Sequence, residues 1–260
     1  MAIKLISDPH GRFEGLRGAV DPSDILLVLG DILDLVDWSD VSGILPEVLG
    51  REEFISRVRE AVARGTEAAV ALRDELMSPE GSKFPLLQER VWEQYCRFAD
   101  VLEGIGCRSY VIYGNGDLPA LLEKALEGRE GIVLADGRVE IDGLLFGFIP
   151  GAIHSPFRMP AEMGEEEYNR KLEGLGRVDV LCTHVPPQAE EFVHDVVAGR
   201  PVVGSSGILA YLERHAPLYH YHGHVHQPRR RGGLLGRTKV INVGYFKRQG
   251  YVHVHGNDGI

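Results

Sequence analysis

Leu218-Tyr219-His220-Tyr221-His222-Gly223-His224-Val225-His226 is a run of strand-forming residues that ends in a glycine turn carrying two histidines. Leu218 to His222 has the β-rich composition of a short strand, and Gly223 lets the chain turn sharply after it. Two imidazoles within three positions of a tight turn suit a metal, because each neutral ring offers one nitrogen lone pair. His220 and His222 lie inside the strand and are expected to pack between sheets with hydrogen-bonded rings. A supporting position behind the ligands is the second reading for His222.

Four more short motifs precede this one, each after a strand-like run. Asp8-Pro9-His10 follows Ile3 to Ile6, and Gly30-Asp31 follows Ile25 to Leu29. Gly114-Asn115-Gly116-Asp117 follows Tyr110 to Tyr113, and Thr183-His184 follows Val178 to Cys182. Taken singly, these motifs are weak: a Gly-Asp turn is commonplace, Asn-Gly favours a plain turn, and a lone histidine is usually a loop residue. Taken together and in order, they place carboxylate, amide and imidazole groups beyond the carboxyl ends of strands, where α/β proteins build their sites. The donor types suit manganese, iron, zinc or cobalt better than soft copper.

The rest of the chain supports an α/β fold. Arg138 to Ile149 reads as a hairpin around Asp142-Gly143, a pair suited to a type I′ turn. Lys239 to Val243 and Tyr251 to His255 continue the strand series. Glu52 to Met77 carries apolar residues at helical spacing, with Gly65 weakening or bending it in the middle, so one bent helix and two helices are both open readings. A further helix is expected from Leu86 to Glu103, stopping at Gly104 or Gly106, and a short charged one from Glu162 to Leu175. This organisation predicts one domain over residues 1–260 with a helical insertion at about 45–104. The insertion reads as scaffold, with a cap over the site or a homo-oligomer contact as further readings of its apolar faces.

Composition narrows the function classes. A formal net charge of -10 over 260 residues disfavours nucleic acid as a partner. Arg229-Arg230-Arg231 runs against that average and reads as a solvated charge run, with contact to a substrate phosphate or a flanking polyanion as the alternative. Cys96, Cys107 and Cys182 are too scattered for a disulfide framework or a thiolate zinc site. The apolar stretch before Asp8 is too short for a signal peptide, and no run approaches the ~20 residues of a membrane span. A reduced, cytoplasmic setting is the expectation.

The five motifs resemble the calcineurin-like metallophosphoesterase superfamily, whose pattern is D-x-H, G-D, G-N-H-D, a lone H and G-H-x-H, across Asp8 to His226. The resemblance implies a four-layer α/β/β/α sandwich of two mixed β-sheets with flanking helices. It implies two divalent or trivalent transition-metal ions, with manganese first and iron, zinc, cobalt or nickel as alternatives. Asp8, His10, Asp31 and His226 would hold one ion, and Asp31, Asn115, His184 and His224 the other. Asp31, His10, Asn115 and Asp117 form the expected catalytic group, and metal-activated hydroxide the nucleophile on a small-molecule phosphodiester. Gly116 departs from the pattern: many members have histidine there, credited with protonating or stabilising the leaving group. The departure points to phosphodiesterase-type members, and it makes His154, in the loop after Ile149, the best substitute proton donor beside its plainer reading as a surface histidine. A phosphomonoesterase acting on protein or small molecules is the alternative. A nuclease or a non-catalytic scaffold stands behind it, since scaffolds of this kind lose ligands that are all present here.

Overall fold

Ile25–Leu29 (β2) is buried over four of its five residues, with side chains alternating between two different cores. Leu27 and Leu29 face one apolar cluster, while Leu26 and Val28 face another. The period-2 geometry of a strand makes one sheet serve two layers. The structure, a computed structural model, describes residues 1–197 and 199–257. Its elements begin with β1 (Ile3–Ile6), β2, α1 (Ile44–Leu49), α2 (Arg51–Arg64), α3 (Thr66–Leu76), α4 (Phe84–Ile105) and β3 (Arg108–Ile112). They continue with α5 (Pro119–Leu126), β4 (Ile132–Leu134), β5 (Gly137–Ile141) and β6 (Leu144–Ile149).

Two mixed sheets result. The first runs in the order His253–Val254, β1, β2, β3, β4, with only the outer strand His253–Val254 antiparallel. The second runs Gly232–Leu235, Thr238–Asn242, Tyr219–His222, Val180–Thr183, β6, β5. Its four central strands are parallel, and its two outer strands antiparallel. Leu5, Leu27 and Ile112 of the first sheet share a core with Phe148, Val180, Tyr221 and Ile241 of the second, so the sheets pack face to face. Helices α1, α2, α4 and α5 cover the outer face of the first sheet, and Glu165–Leu175 with Ser206–His215 cover that of the second. The architecture is the expected four-layer α/β/β/α sandwich.

Local chemistry explains most boundaries. Gly65, at φ 98°, separates α2 from α3. Asp142 and Gly143 both take positive φ in the hairpin between β5 and β6, as a type I′ turn requires. The charged helix starts at Glu165 instead of Glu162, because Glu162–Met163 pairs with Ala152–Ile153. The sequence reading holds no helix for Ser206–His215, although Ser205 caps it by accepting the Ile208 N–H. Among the described residues, no helix is long and apolar enough to cross a membrane.

One expectation is corrected by strand parity. Tyr221, paired with Cys182 and Ile241, points into the core between the sheets. His220 is paired with Leu181 and Val240, which belong to the outer core beneath the helices, and the ring of His222 faces Phe192 there. Both histidines therefore pack on the helix side of the second sheet, not between the sheets. His220 Nε2 bonds Thr183 Oγ1 at 2.8 Å, and His222 Nδ1 donates to Gly223 O at 3.0 Å.

Candidate metal centre

The five motifs meet in space because their loops are laced together by backbone. Asp8 N–H donates to Gly30 O, His10 N–H to Asp31 O, and Gly223 N–H to His184 O. Asp8, His10, Asp31 and His224 all adopt positive φ, from 38° to 65°, a region that non-glycine residues enter at a cost of roughly 1–2 kcal/mol each. Such strain persists only where surrounding contacts impose it, and it concentrates at functional sites. Two glycines permit the close approach. A Cβ on Gly30 would lie 2.5 Å from the Gly114 nitrogen, and one on Gly223 would run into Ser7 Oγ and Asp8 Oδ2.

Two donor groups form, and they share one residue. One ligand atom each from Asp8, His10, Asp31 and His226 lie within 4.8 Å of one another, and so do atoms of Asp31, His184 and His224. His226 Nε2 is 3.3 Å from Asp8 Oδ1, and His10 Nε2 is 3.7 Å from Asp31 Oδ2. His184 Nε2 lies 3.4 Å from Asp31 Oδ2 and 3.1 Å from Asn115 Oδ1. Asp8, His10, Asp31 and His184 are buried, while His224 and His226 are partly open. All seven residues named from the sequence thus come together.

The donor chemistry fits a cation. His10 Nδ1 faces the Leu33 carbonyl and His184 Nδ1 the Leu29 carbonyl. A carbonyl only accepts, so each Nδ1 carries a proton and each Nε2 is turned inward, the nitrogen that a cation would take. Those nitrogens face carboxylate oxygens, and the buried Asp8 Oδ1 has the His226 ring nitrogen as its near neighbour at 3.3 Å. Burial works against charge on His184, yet the Asp31 carboxylate beside it holds its pKa up at about 9. Burial likewise opposes charge on His226, and the Asp8 carboxylate raises it. His224 goes the other way: burial, aided by His184, pushes it down to about 3. Positive charge is drawn to His184 and His226, whereas burial holds His10 neutral although it too faces Asp31; the carboxylates are thus only partly balanced by the rings, a demand that a divalent ion meets.

The remaining expected residues fall outside the donor groups. Asp117 lies wholly buried, its carboxylate accepting from the N–H groups of Ile32, Leu33 and Gly114 and from the Tyr95 hydroxyl. It clamps two ligand loops and faces no open space. Burial, with Asp31 nearby, raises its pKa to about 6. Gly116 donates its N–H to Asp31 Oδ1 at 2.7 Å, and a Cβ there would lie 3.3 Å from that oxygen. The position therefore offers less room than an empty slot beside a substrate. His154 is exposed, held by its backbone to Met163 O. All three arginines of the run are exposed, with Arg231 stacked over Tyr251 at 4.4 Å and reaching Gln249.

Sequence reasoning missed the residues that hold the ligands from behind. Asn242 Nδ2 donates to Gly223 O and Val225 O, fixing the histidine turn. From α4, Tyr95 reaches Asp117, and Gln94 accepts the Asp34 N–H at 2.9 Å. Tyr245 lies against His226. None carries a motif, although Asn242, next to a strand end and facing a turn, is of a type that often serves there.

No family model and no curated protein matches the chain. Among solved structures, one crystal structure is 18% identical with a TM-score of 0.62, covering 94% of this chain and 91% of its own. The crystal structure of TT1561 of Thermus thermophilus is 13% identical with a TM-score of 0.56, covering 94% of this chain and 89% of its own. The likeness is one of fold over nearly the whole length.

Proposed function

We propose that the chain is a dinuclear metal-dependent phosphoesterase of the calcineurin-like kind, acting on a small phosphodiester. One observation carries the reading: Asp31 belongs to both donor groups, the arrangement a pair of bridged ions needs. Asp8, His10, Asp31 and His226 would hold one ion, and Asp31, Asn115, His184 and His224 the other. When bound, such ions neutralise charge on a phosphoryl group and make water acidic enough to supply a nucleophile near neutral pH.

The chain's own contribution is orientation. The Leu29 and Leu33 carbonyls turn His184 and His10 so that Nε2 points inward. Asp117 ties the Asp31 loop to the Asn115 loop, and Gly116 N–H fixes Asp31 Oδ1. Gly116 brings no side chain to protonate a departing oxygen. A positioned acid contributes typically ~10²–10⁴-fold, so substrates whose leaving oxygen departs readily as an anion are favoured, aryl esters ahead of alkyl esters.

The test is direct. Purified protein reconstituted with manganese should retain close to two ions per chain by elemental analysis, and retention at background level would sink the reading. An aryl phosphodiester should show a higher specificity constant than the matching monoester, and the reverse order would move the assignment to a monoesterase. Asp31→Asn should lose more activity than any other single ligand change, because it alone touches both donor groups.

A further inference from the structure

The two donor groups are supported differently. The Tyr245 ring stacks face to face on His226, with centroids 3.9 Å apart and planes 13° from parallel. It also meets the His10 ring edge-on at 5.8 Å. Tyr245 is 1% exposed, and its hydroxyl donates to Asp37 Oδ2 at 2.5 Å. Asp37 is itself held, accepting from Lys247 Nζ at 3.0 Å and from Ser39 Oγ at 2.5 Å. Lys247 Nζ also grips both oxygens of Asp34 at 3.0 Å. The backbone of the same segment reaches the first ligand loop, with Phe246 N–H donating to Ser7 O and Lys247 N–H to Asp8 O. One short stretch thus grips Asp8 by backbone and His226 by ring.

The other donor group lacks this arrangement. Among the described residues no ring stacks face to face on His184 or His224, which meet each other edge-on at 5.1 Å and 70°. His184 is oriented by the Leu29 carbonyl, while His224, half-buried like His226, has no ring laid flat against it among the described residues.

Resting on the metal reading above, we infer that Tyr245 is a positioning residue that makes the two donor groups unequal, preorganising Asp8, His10 and His226 to take an ion first and more tightly. A ring already held in its bound orientation has less freedom to lose when the ion arrives. Residues behind metal ligands typically change affinity by about 10–100-fold when removed.

Calorimetric titration of the metal-stripped full chain with Mn²⁺ alone tests this. The wild type should bind in two separable steps. His224→Ala should abolish the weaker step and keep the tighter one, which assigns the steps to their groups. Tyr245→Ala should weaken the tighter step by about 10–100-fold while leaving the weaker one in place. Tyr245→Phe keeps the ring and loses only the hydroxyl bond to Asp37, and it should stay close to wild type, while Tyr245→Leu, which keeps packing without a stacking face, should not. Where circular dichroism shows Tyr245→Ala unfolded, Tyr245→Leu fills the space without a stacking face and should weaken the same step. Unchanged titration in the alanine or leucine variant, equal loss in both steps, or a phenylalanine variant as weak as alanine would each overturn the inference. Failure of the wild type to bind Mn²⁺ at all would overturn the metal reading beneath it instead.

Discussion

Helix α4 and the pair α2–α3 belong to one insertion but are held by different forces. Helix α4 buries Leu87, Val91, Tyr95, Phe98, Ala99, Val101, Leu102 and Ile105 along one stripe. By contrast, α2 buries only Phe54 and Ala61, and α3 only Ala69 and Leu72. The pair leans instead on charge: Arg57 reaches Glu75 at 2.5 Å and Lys83 reaches Glu53 at 3.8 Å, with the acids more than half exposed. Apolar area removed from water stabilises by roughly 25 cal/mol per Å², whereas an exposed ion pair contributes about 0–1 kcal/mol. Sequence continuity is therefore a poor guide to energetic membership. Helix α4 is part of the sheet's core and reaches beneath the metal centre, while α2 and α3 are peripheral.

The sharpest attempt to break this contrast is Leu102→Ala in α4. It should lower stability by about 2–5 kcal/mol in denaturant unfolding, as deletion of a fully buried leucine does. A loss below about 1 kcal/mol would mean that α4 is as loosely held as its neighbours. Tyr95→Phe comes next. It removes the hydroxyl that donates to Asp117 and accepts the Leu118 N–H at 2.7 Å, so that N–H loses its partner and Asp117 keeps only its backbone donors. A loss of about 1–3 kcal/mol is expected, together with lower activity, because both ligand loops lean on Asp117. Unchanged activity would separate α4 from the centre.

Lys4 and Asp24 sharpen the comparison by joining charge with burial. Lys4 Nζ sits 2.7 Å from Asp24 Oδ2, and Asp24 is 5% exposed. The hydrogen bond from Lys4 holds the Asp24 pKa at about 2, below its ordinary 3.8. A depressed carboxyl stabilises the fold above its unfolded pKa, and that contribution drains away as pH falls through the folded one. Wild type should therefore lose up to about 2 kcal/mol between roughly pH 4 and pH 2 that Asp24→Asn does not lose, read from urea midpoints. Parallel slopes would show that the pair behaves like a surface bridge. The smallest effect is expected from Glu75→Ala, at most about 1 kcal/mol. A larger loss would promote α2–α3 to a structural part.

The legibility of the chain follows the range of its interactions. The residues that converge at the candidate centre were readable because metal-binding types beside turns form a signal contained within a few positions. Gly65 and Asp142-Gly143 were readable for the same reason: positive φ is a local demand. The side of the sheet taken by His220 was not, because strand parity depends on which neighbours flank the strand. Tyr245, Tyr95 and Asn242 were missed because their importance lies wholly in partners distant in sequence. Tyr245 and its partner Asp37 are 208 residues apart. An aromatic after a strand looks like core from the sequence, and only the fold shows which ring it covers.

The lacing of Asp8 to Phe246 and Lys247 has a kinetic consequence. His10 and His226 face each other across 216 residues of chain, and the Asp8 loop is secured by a segment beyond both. Contacts this distant close late, since the entropy of bringing far-apart segments together must be overcome before they reward the chain. A fragment ending before Tyr245 lacks the backbone bonds from Phe246 and Lys247 that secure the Asp8 loop. Synthesis from the amino terminus therefore leaves Asp8, His10 and Asp31 without their histidine partners through most of elongation, and the candidate centre is assembled only in the finished fold.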